Sequence, residues 1–75
     1  MLRAIHLKTA ALTSEWAAAF AEMTVARVSG VAKVVAVRSL GIVSVLFDDS
    51  STTPEKIVLA LQSAGVDARI LRGRS

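Results

Sequence analysis

Seventy-five residues with 53% apolar side chains and a mean hydropathy of +0.57 suffice for one small domain and are too few for two. The absence of cysteine excludes a disulfide framework, a thiolate metal site and a cysteine nucleophile. The net charge of +3 comes from mostly scattered basic residues, and charged residues interrupt every apolar stretch. We therefore expect a folded cytoplasmic domain that does not insert into a membrane.

The first half of the chain predicts a strand, a helix and a second strand. Residues 2–9 partly alternate between apolar and polar side chains, which is typical of a strand. Ser14 suits a helix N-cap, and the helix is expected to span residues 14–29 because Gly30 tolerates the positive φ that ends many helices. Residues 31–38 are rich in β-branched side chains and predict the second strand.

The second half predicts a strand, a helix and a short last strand. Residues 39–41 form a turn into a third strand at 42–47. Thr53 precedes a proline and a glutamate, a pattern that starts helices, so a second helix is expected over 54–64. A glycine ends it before a strand over 66–71.

The resulting order, β-α-β-β-α-β, predicts an α+β fold of the ferredoxin-like type. In this arrangement two helices cover one face of a four-stranded antiparallel sheet. We assign residues 1–72 to this domain and residues 73–75 to a basic C-terminal tail.

Segments from both halves of the chain resemble the heavy-metal-associated domain family. The matching segments are residues 28–34, 45–48, 53–57 and 64–65, so the resemblance covers nearly the whole chain. It implies a ferredoxin-like domain related to carriers of copper and other soft metals. Such domains occur as chaperones, as mercury-binding proteins and as N-terminal modules of metal-transporting P-type ATPases.

The metal-binding motif of that family is altered in this chain. The family binds metal through Met-Thr-Cys-x-x-Cys, and counting back from Gly30 without gaps aligns residues 12–17 with this motif. Thr13 is kept, but Ser14 and Ala17 stand at the two cysteine positions. A hydroxyl is a poor ligand for a soft ion and alanine has no donor atom. The resemblance therefore implies a degenerate member that holds no metal or cofactor at this position.

A metal site built from other ligands is an alternative. His6 is the only histidine, and Asp48 and Asp49 follow the third predicted strand. A hard ion needs several oxygen ligands that converge on one point. We interpret the histidine as solvated and the aspartates as the end of a strand, and metal transport through non-cysteine ligands stays the alternative function.

The first predicted helix carries two apolar stripes at helical spacing. The stripe of small residues contains Ala17, Ala18, Ala21, Val25 and Val28. Trp16, Phe20 and Met23 lie nearly opposite. The resemblance places the small stripe against the sheet and leaves the large side chains exposed, a composition typical of a protein contact. The alternative is a rolled helix that buries the large residues and exposes the alanines.

The outer face of the predicted sheet is also apolar. Val35, Val37, Ile42 and Leu46 occupy positions that usually meet water in this fold. We expect this face to be covered by a second copy of the chain or by another part of a larger protein. The alternative is that these residues are surface side chains that favour strand formation.

These features favour a non-catalytic protein-association or regulatory module. It is either freestanding or the N-terminal part of, or accessory to, a cation-transporting P-type ATPase, with a protein or a second copy as partner. Catalysis of phosphate chemistry would need a glycine-rich cradle, whereas the glycines here punctuate element ends. Nucleic acid is not expected as a partner because the outer sheet face lacks aromatic side chains. A small-ligand regulatory domain of the same topology stays open.

Overall fold

Two helices lie on one face of a four-stranded antiparallel sheet in the computed structural model, which describes residues 1–72. The strands are β1 (Leu2–Lys8), β2 (Val31–Val37), β3 (Ile42–Asp48) and β4 (Arg69–Leu71), and the helices are α1 (Glu15–Ala26) and α2 (Pro54–Ser63). The strand order β2-β3-β1-β4 places β1 and β3 at the centre of the sheet. This is the predicted ferredoxin-like βαββαβ fold. The predicted tail at 73–75 lies outside the described residues.

Two predicted boundaries are wrong by three residues. Helix α1 ends at Ala26, and Val28 packs against the core from the following turn, where its N–H donates to the carbonyl of Val25 at 3.0 Å. Strand β4 begins only at Arg69. Val66 is buried, and its N–H donates to a carbonyl in the last turn of α2 at 2.9 Å, so the chain leaves the helix before it can enter the sheet.

Both predicted helix caps are confirmed. The Ser14 hydroxyl accepts a hydrogen bond from the N–H of Ala17 at 3.0 Å. The Thr53 hydroxyl accepts one from the N–H of Lys56 at 3.2 Å. Each cap satisfies an amide that has no partner within its helix, and thereby fixes where the helix begins.

The core lies between the helices and the inner face of the sheet. Its largest fully buried side chains are Leu7, Val25, Val43, Val45, Phe47, Ile57 and Leu61. Helix α1 contributes Ala18, Ala21 and Val25, which belong to the predicted small stripe, so the helix is not rolled. Within residues 1–72, neither helix has the length and apolar character needed to cross a membrane.

The turn before β2 approaches the loop after β3 closely at Gly30. This residue has a φ of +95°, and its carbonyl accepts the N–H of Asp48 at 2.8 Å. A β-carbon at this position would lie 2.7 Å from the Cβ of Ser51, which is too short for a real contact. Gly65 also has a positive φ, of +84°, but a β-carbon there would have no neighbour within 4 Å.

We expect Gly30→Ala to destabilise the fold more than Gly65→Ala. Both substitutions put a β-carbon on left-handed backbone, but only Gly30→Ala adds the overlap with Ser51, for a total loss of roughly 2–4 kcal/mol. Urea unfolding monitored by circular dichroism gives the two free energies of unfolding. Equal losses in the two variants would contradict the close approach.

The loop between β3 and α2 is organised by the Asp48 carboxylate. Its Oδ1 accepts the Ser50 hydroxyl at 2.7 Å and the Ser50 N–H at 3.0 Å. These hydrogen bonds, together with the Met1 amino group 3.1 Å away, lower the pKa of Asp48 to about 2.

The ionised Asp48 carboxylate should therefore stabilise the fold in a pH-dependent way. Because its pKa is below the ordinary value of 3.8, this contribution is present above about pH 4 and is lost as the pH falls toward about 2. We expect the difference in unfolding free energy between the wild type and Asp48→Asn to shrink over this range. The carboxyl carbon shift of Asp48, followed by NMR, measures the pKa directly, and a midpoint near the ordinary value would contradict the assignment.

Candidate functional site

The β1–α1 loop is held in place by the turn between β2 and β3. The N–H of Thr9 donates to the carbonyl of Gly41 at 2.9 Å, and the Arg38 guanidinium donates to the carbonyl of Thr13 at 3.2 Å. Leu12, in the same loop, is buried in the core. The loop therefore has a defined conformation that does not require a bound ion.

Ser14 and Ala17, the two positions predicted to have lost metal ligands, lie next to each other in space. The Ser14 hydroxyl is engaged as the N-cap, since it accepts the Ala17 N–H, and the Ser14 carbonyl accepts the N–H of Ala18 at 3.0 Å. A capping hydroxyl and a methyl group offer no thiolate for a soft ion. These residues do not fit the metal that the resemblance implies for this position.

The alternative ligands do not come together either. His6 pairs with Ser44 in the β1–β3 ladder, whereas Asp48 pairs with Leu2 at the other end of β1. Four residues of strand separate the two positions by about 13 Å. Within residues 1–72, no three histidine, aspartate or glutamate side chains form a group that could hold a metal ion.

Trp16, Phe20 and Met23 form one surface on α1, which we term the aromatic patch. The rings of Trp16 and Phe20 are stacked, with centroids 5.7 Å apart and an interplanar angle of 7°. Phe20 is half-buried and packs against the core, whereas Trp16 is 75% exposed and Met23 58% exposed. Phe20 thus links the exposed indole to the core, and the stack favours this orientation of the indole ring.

The four residues predicted for self-association lie together on the open face of the sheet, the face opposite the helices. Val37 pairs with Ile42, Val35 pairs with Ser44, and Leu46 pairs with Lys33. Val35 is 42% exposed, and the other three side chains are half-buried. Lys33 lies on one side of this apolar surface and the paired Lys8 and Arg69 on the other, while Asp48 lies on the same face at the end of β3, so the rim is mainly cationic.

A polar pair on this face was missed by the sequence analysis. The Nδ1 of His6 lies 2.8 Å from the Oγ of Ser44, at the floor of a shallow concavity of about 410 Å³ that Val37, Ile42 and Leu71 also line. The strand register, which brings residues 38 positions apart into contact, is the signal that could have found it.

The His6–Ser44 pair has the spacing of a base and a nucleophile, but it lies between the central strands β1 and β3. β1 pairs with β3 along its length, and β4 pairs with His6, Leu7 and Lys8. Backbone N–H groups used in these ladders are not free to stabilise a developing oxyanion. Among the described residues, the two side chains form a cross-strand hydrogen bond.

The same fold occurs in solved metal-binding domains. Oxidised MerP from Ralstonia metallidurans superposes with a TM-score of 0.91 at 22% identity, over 96% of this chain and all of that one (100%). A copper-binding domain of HMA7, a P-type ATPase, gives a TM-score of 0.89 at 26% identity, over 93% of this chain and 95% of the other.

The N-terminal domain of a potential copper-translocating P-type ATPase from Bacillus subtilis, solved in its Cu(I)-loaded state, gives a TM-score of 0.86 at 18% identity, covering 99% of this chain and 100% of that domain. No protein-family model matches the sequence, and no curated protein is significantly similar to it. The neighbours establish the ferredoxin-like fold and its occurrence in copper-binding domains.

We expect the wild-type protein to bind no Cu(I) tightly and Ser14→Cys/Ala17→Cys to bind one ion. The wild type has no thiolate, whereas the variant places two at the start of α1, where the helix N-terminus also favours their ionised form. Titration in competition with a chromogenic Cu(I) chelator measures both, with Ala17→Cys as the single-thiolate control. Tight stoichiometric binding by the wild type, or none by the double variant, would contradict this account of the loop.

Proposed function

We propose that this chain is a degenerate heavy-metal-associated domain that works as a non-catalytic protein-association module. The stacked, exposed Trp16 beside a loop without metal ligands is the observation that carries the proposal. Solved copper-binding domains of the same fold support the relationship, and the donor set at Ser14 and Ala17 argues against a carrier role.

The aromatic patch has the properties of a binding hot spot. Tryptophan dominates many protein interfaces because it buries a large area with only two side-chain torsions to fix. Here the stack with Phe20 already restricts the Trp16 ring before a partner binds, so less conformational entropy is lost on association. Met23, about one helical turn beyond Phe20 on α1, adds an adaptable apolar contact.

We propose a partner from cation transport, encountered in the cytoplasm. Domains of this fold occur in P-type ATPases, among them the copper-binding domain of HMA7 and the N-terminal domain from Bacillus subtilis. This chain would then be an accessory of such a transporter or a module within one. Because this chain lacks the thiolates that exchange copper, it would recruit or regulate the transporter and would not deliver an ion to it.

The open face of the sheet is proposed as a second contact surface. Two copies placed face to face would bring the rims that contain Lys8, Lys33 and Arg69 toward each other, which like charges disfavour. An acidic protein surface would match both the rim and the apolar centre. Self-association through Val35, Val37, Ile42 and Leu46 stays a prediction, which sedimentation of the wild type and Leu46→Lys would check.

We expect Trp16→Ala to weaken partner binding about tenfold or more while changing the free energy of unfolding by less than about 1 kcal/mol. The indole is 75% exposed, so its removal leaves no cavity in the core. Quantitative co-purification from native extract identifies the partner, and titration of that purified protein measures the affinity. Trp16 is the only tryptophan, so its emission should also shift to shorter wavelength when the partner binds.

Leu59→Ala is the matched control because Leu59 is an exposed apolar residue, 60% accessible, on the other helix. It should bind the partner like the wild type. Equal binding by Trp16→Ala and the wild type would contradict the role of the aromatic patch.

A further inference from the structure

Strand β2 lies at an edge of the sheet, and part of its backbone faces outward. Its sequence is apolar except for Lys33. Along an edge strand of an antiparallel sheet, the backbone N–H and C=O groups of alternate residues bond the neighbouring strand, and those of the residues between them point outward. The Ala36 N–H bonds a side chain of α1 and not β3, so it points outward, and the Val34 N–H two residues earlier points the same way. An apolar edge with outward amides can pair with another strand.

The Glu22 carboxylate is hydrogen-bonded to this edge. Its Oε2 accepts the N–H of Ala36 at 2.7 Å, across 14 positions of sequence. Glu22 lies within α1 and is half-buried. Within residues 1–72, the Glu22 carboxylate forms no salt bridge, so its structural partner is the backbone of β2. A charge-assisted hydrogen bond of this length is stronger than one between neutral groups.

The accessible part of β2 complements a second copy of itself. If two β2 strands pair antiparallel with Val35 opposite Val35, then Val34 lies opposite Ala36 and Lys33 opposite Val37 of the other copy. No lysine faces a lysine, and two β-branched side chains meet at the centre. This register also avoids the bulge between Val31 and Lys33, which disturbs the start of the strand.

In this register the Ala36 amide of each copy would bond the Val34 carbonyl of the other. Neither bond can form while Glu22 holds Ala36. We propose that the Glu22 carboxylate keeps β2 from pairing with a second copy, and that its removal lets two four-stranded sheets join through their β2 edges. The proposal is independent of the aromatic patch and of the function proposed for it.

Glu22→Ala should dimerise with an association constant at least about tenfold higher than that of the wild type, because one further backbone hydrogen bond becomes available in each copy. Sedimentation velocity over a concentration series measures the change. Glu22→Gln keeps a hydrogen-bond acceptor and should behave nearly like the wild type. Glu15→Ala removes the same charge from an exposed position of the same helix and should leave association unchanged.

Two double variants separate the edge from the open face. Adding Ala36→Pro to Glu22→Ala removes the pairing N–H and should return association to the wild-type level, and proline is tolerated at such outward edge positions. Adding Leu46→Lys, on the open face, should leave the dimer intact. Dimerisation that is lost with Leu46→Lys and kept with Ala36→Pro would overturn the proposal, as would a Glu22→Ala protein that stays as monomeric as Glu15→Ala.

Amide hydrogen exchange provides a measurement on the wild type itself. The Ala36 amide should exchange more slowly than the outward Val34 amide at low protein concentration, since only Ala36 is bonded to Glu22. Equal, rapid exchange of both would overturn the proposal. Should Glu22→Ala fail to fold, Glu22→Met keeps the side-chain length and helix propensity without the carboxylate and is expected to dimerise in the same way.

Discussion

The contact between α1 and the sheet is made mainly by alanines and valines, and this determines where the other groups of the helix lie. Ala21 and Val25 are fully buried, so the helix axis lies close to the strands and its orientation is fixed. Trp16 then faces outward, while Glu22 is near enough to the edge of the sheet to reach the backbone of β2. Larger residues in the buried stripe would move the helix away and disturb both arrangements.

The start of α1 has a defined conformation without thiolate ligands. The heavy-metal-associated motif that this segment resembles has cysteines at the positions of Ser14 and Ala17. Here the Ser14 hydroxyl caps the helix, an interaction worth about 1 kcal/mol, and contacts from Thr9 and Arg38 fix the loop from the other side. The hydrogen bonds of the protein itself thus hold the loop, and the fold does not depend on thiolate ligands at Ser14 and Ala17.

Local patterns predicted most of this architecture because they reflect local physics. The caps at Ser14 and Thr53 and the two stripes of α1 depend on residues within a few positions of each other. The end of α1 and the start of β4 were misplaced because both were set from the neighbouring glycines, whereas the chain leaves each helix before its glycine and Val28 and Val66 reach the core from turns.

The contacts that sequence reasoning missed join distant segments. The His6–Ser44 pair depends on the register of β1 against β3, and the bond from Ala36 to Glu22 depends on how α1 crosses the edge strand. Neither contact has a local signature, since His6, Ser44 and Glu22 are each an ordinary polar residue in its own element and Ala36 contributes only its backbone N–H. Register and crossing geometry are set by the whole core, so such contacts can be identified only once the elements are placed.

Association through the open face of the sheet and association through the β2 edge are limited by different interactions. On the open face the proposed limit is electrostatic, because the mainly cationic rim around Val35 and Leu46 would disfavour a second copy and match an acidic surface. At the β2 edge the limit is a single hydrogen bond from Ala36 to Glu22, which salt screens little because the carboxylate is half-buried. Added salt should therefore promote contact between open faces without opening the edge, so the two routes of association differ in their dependence on ionic strength.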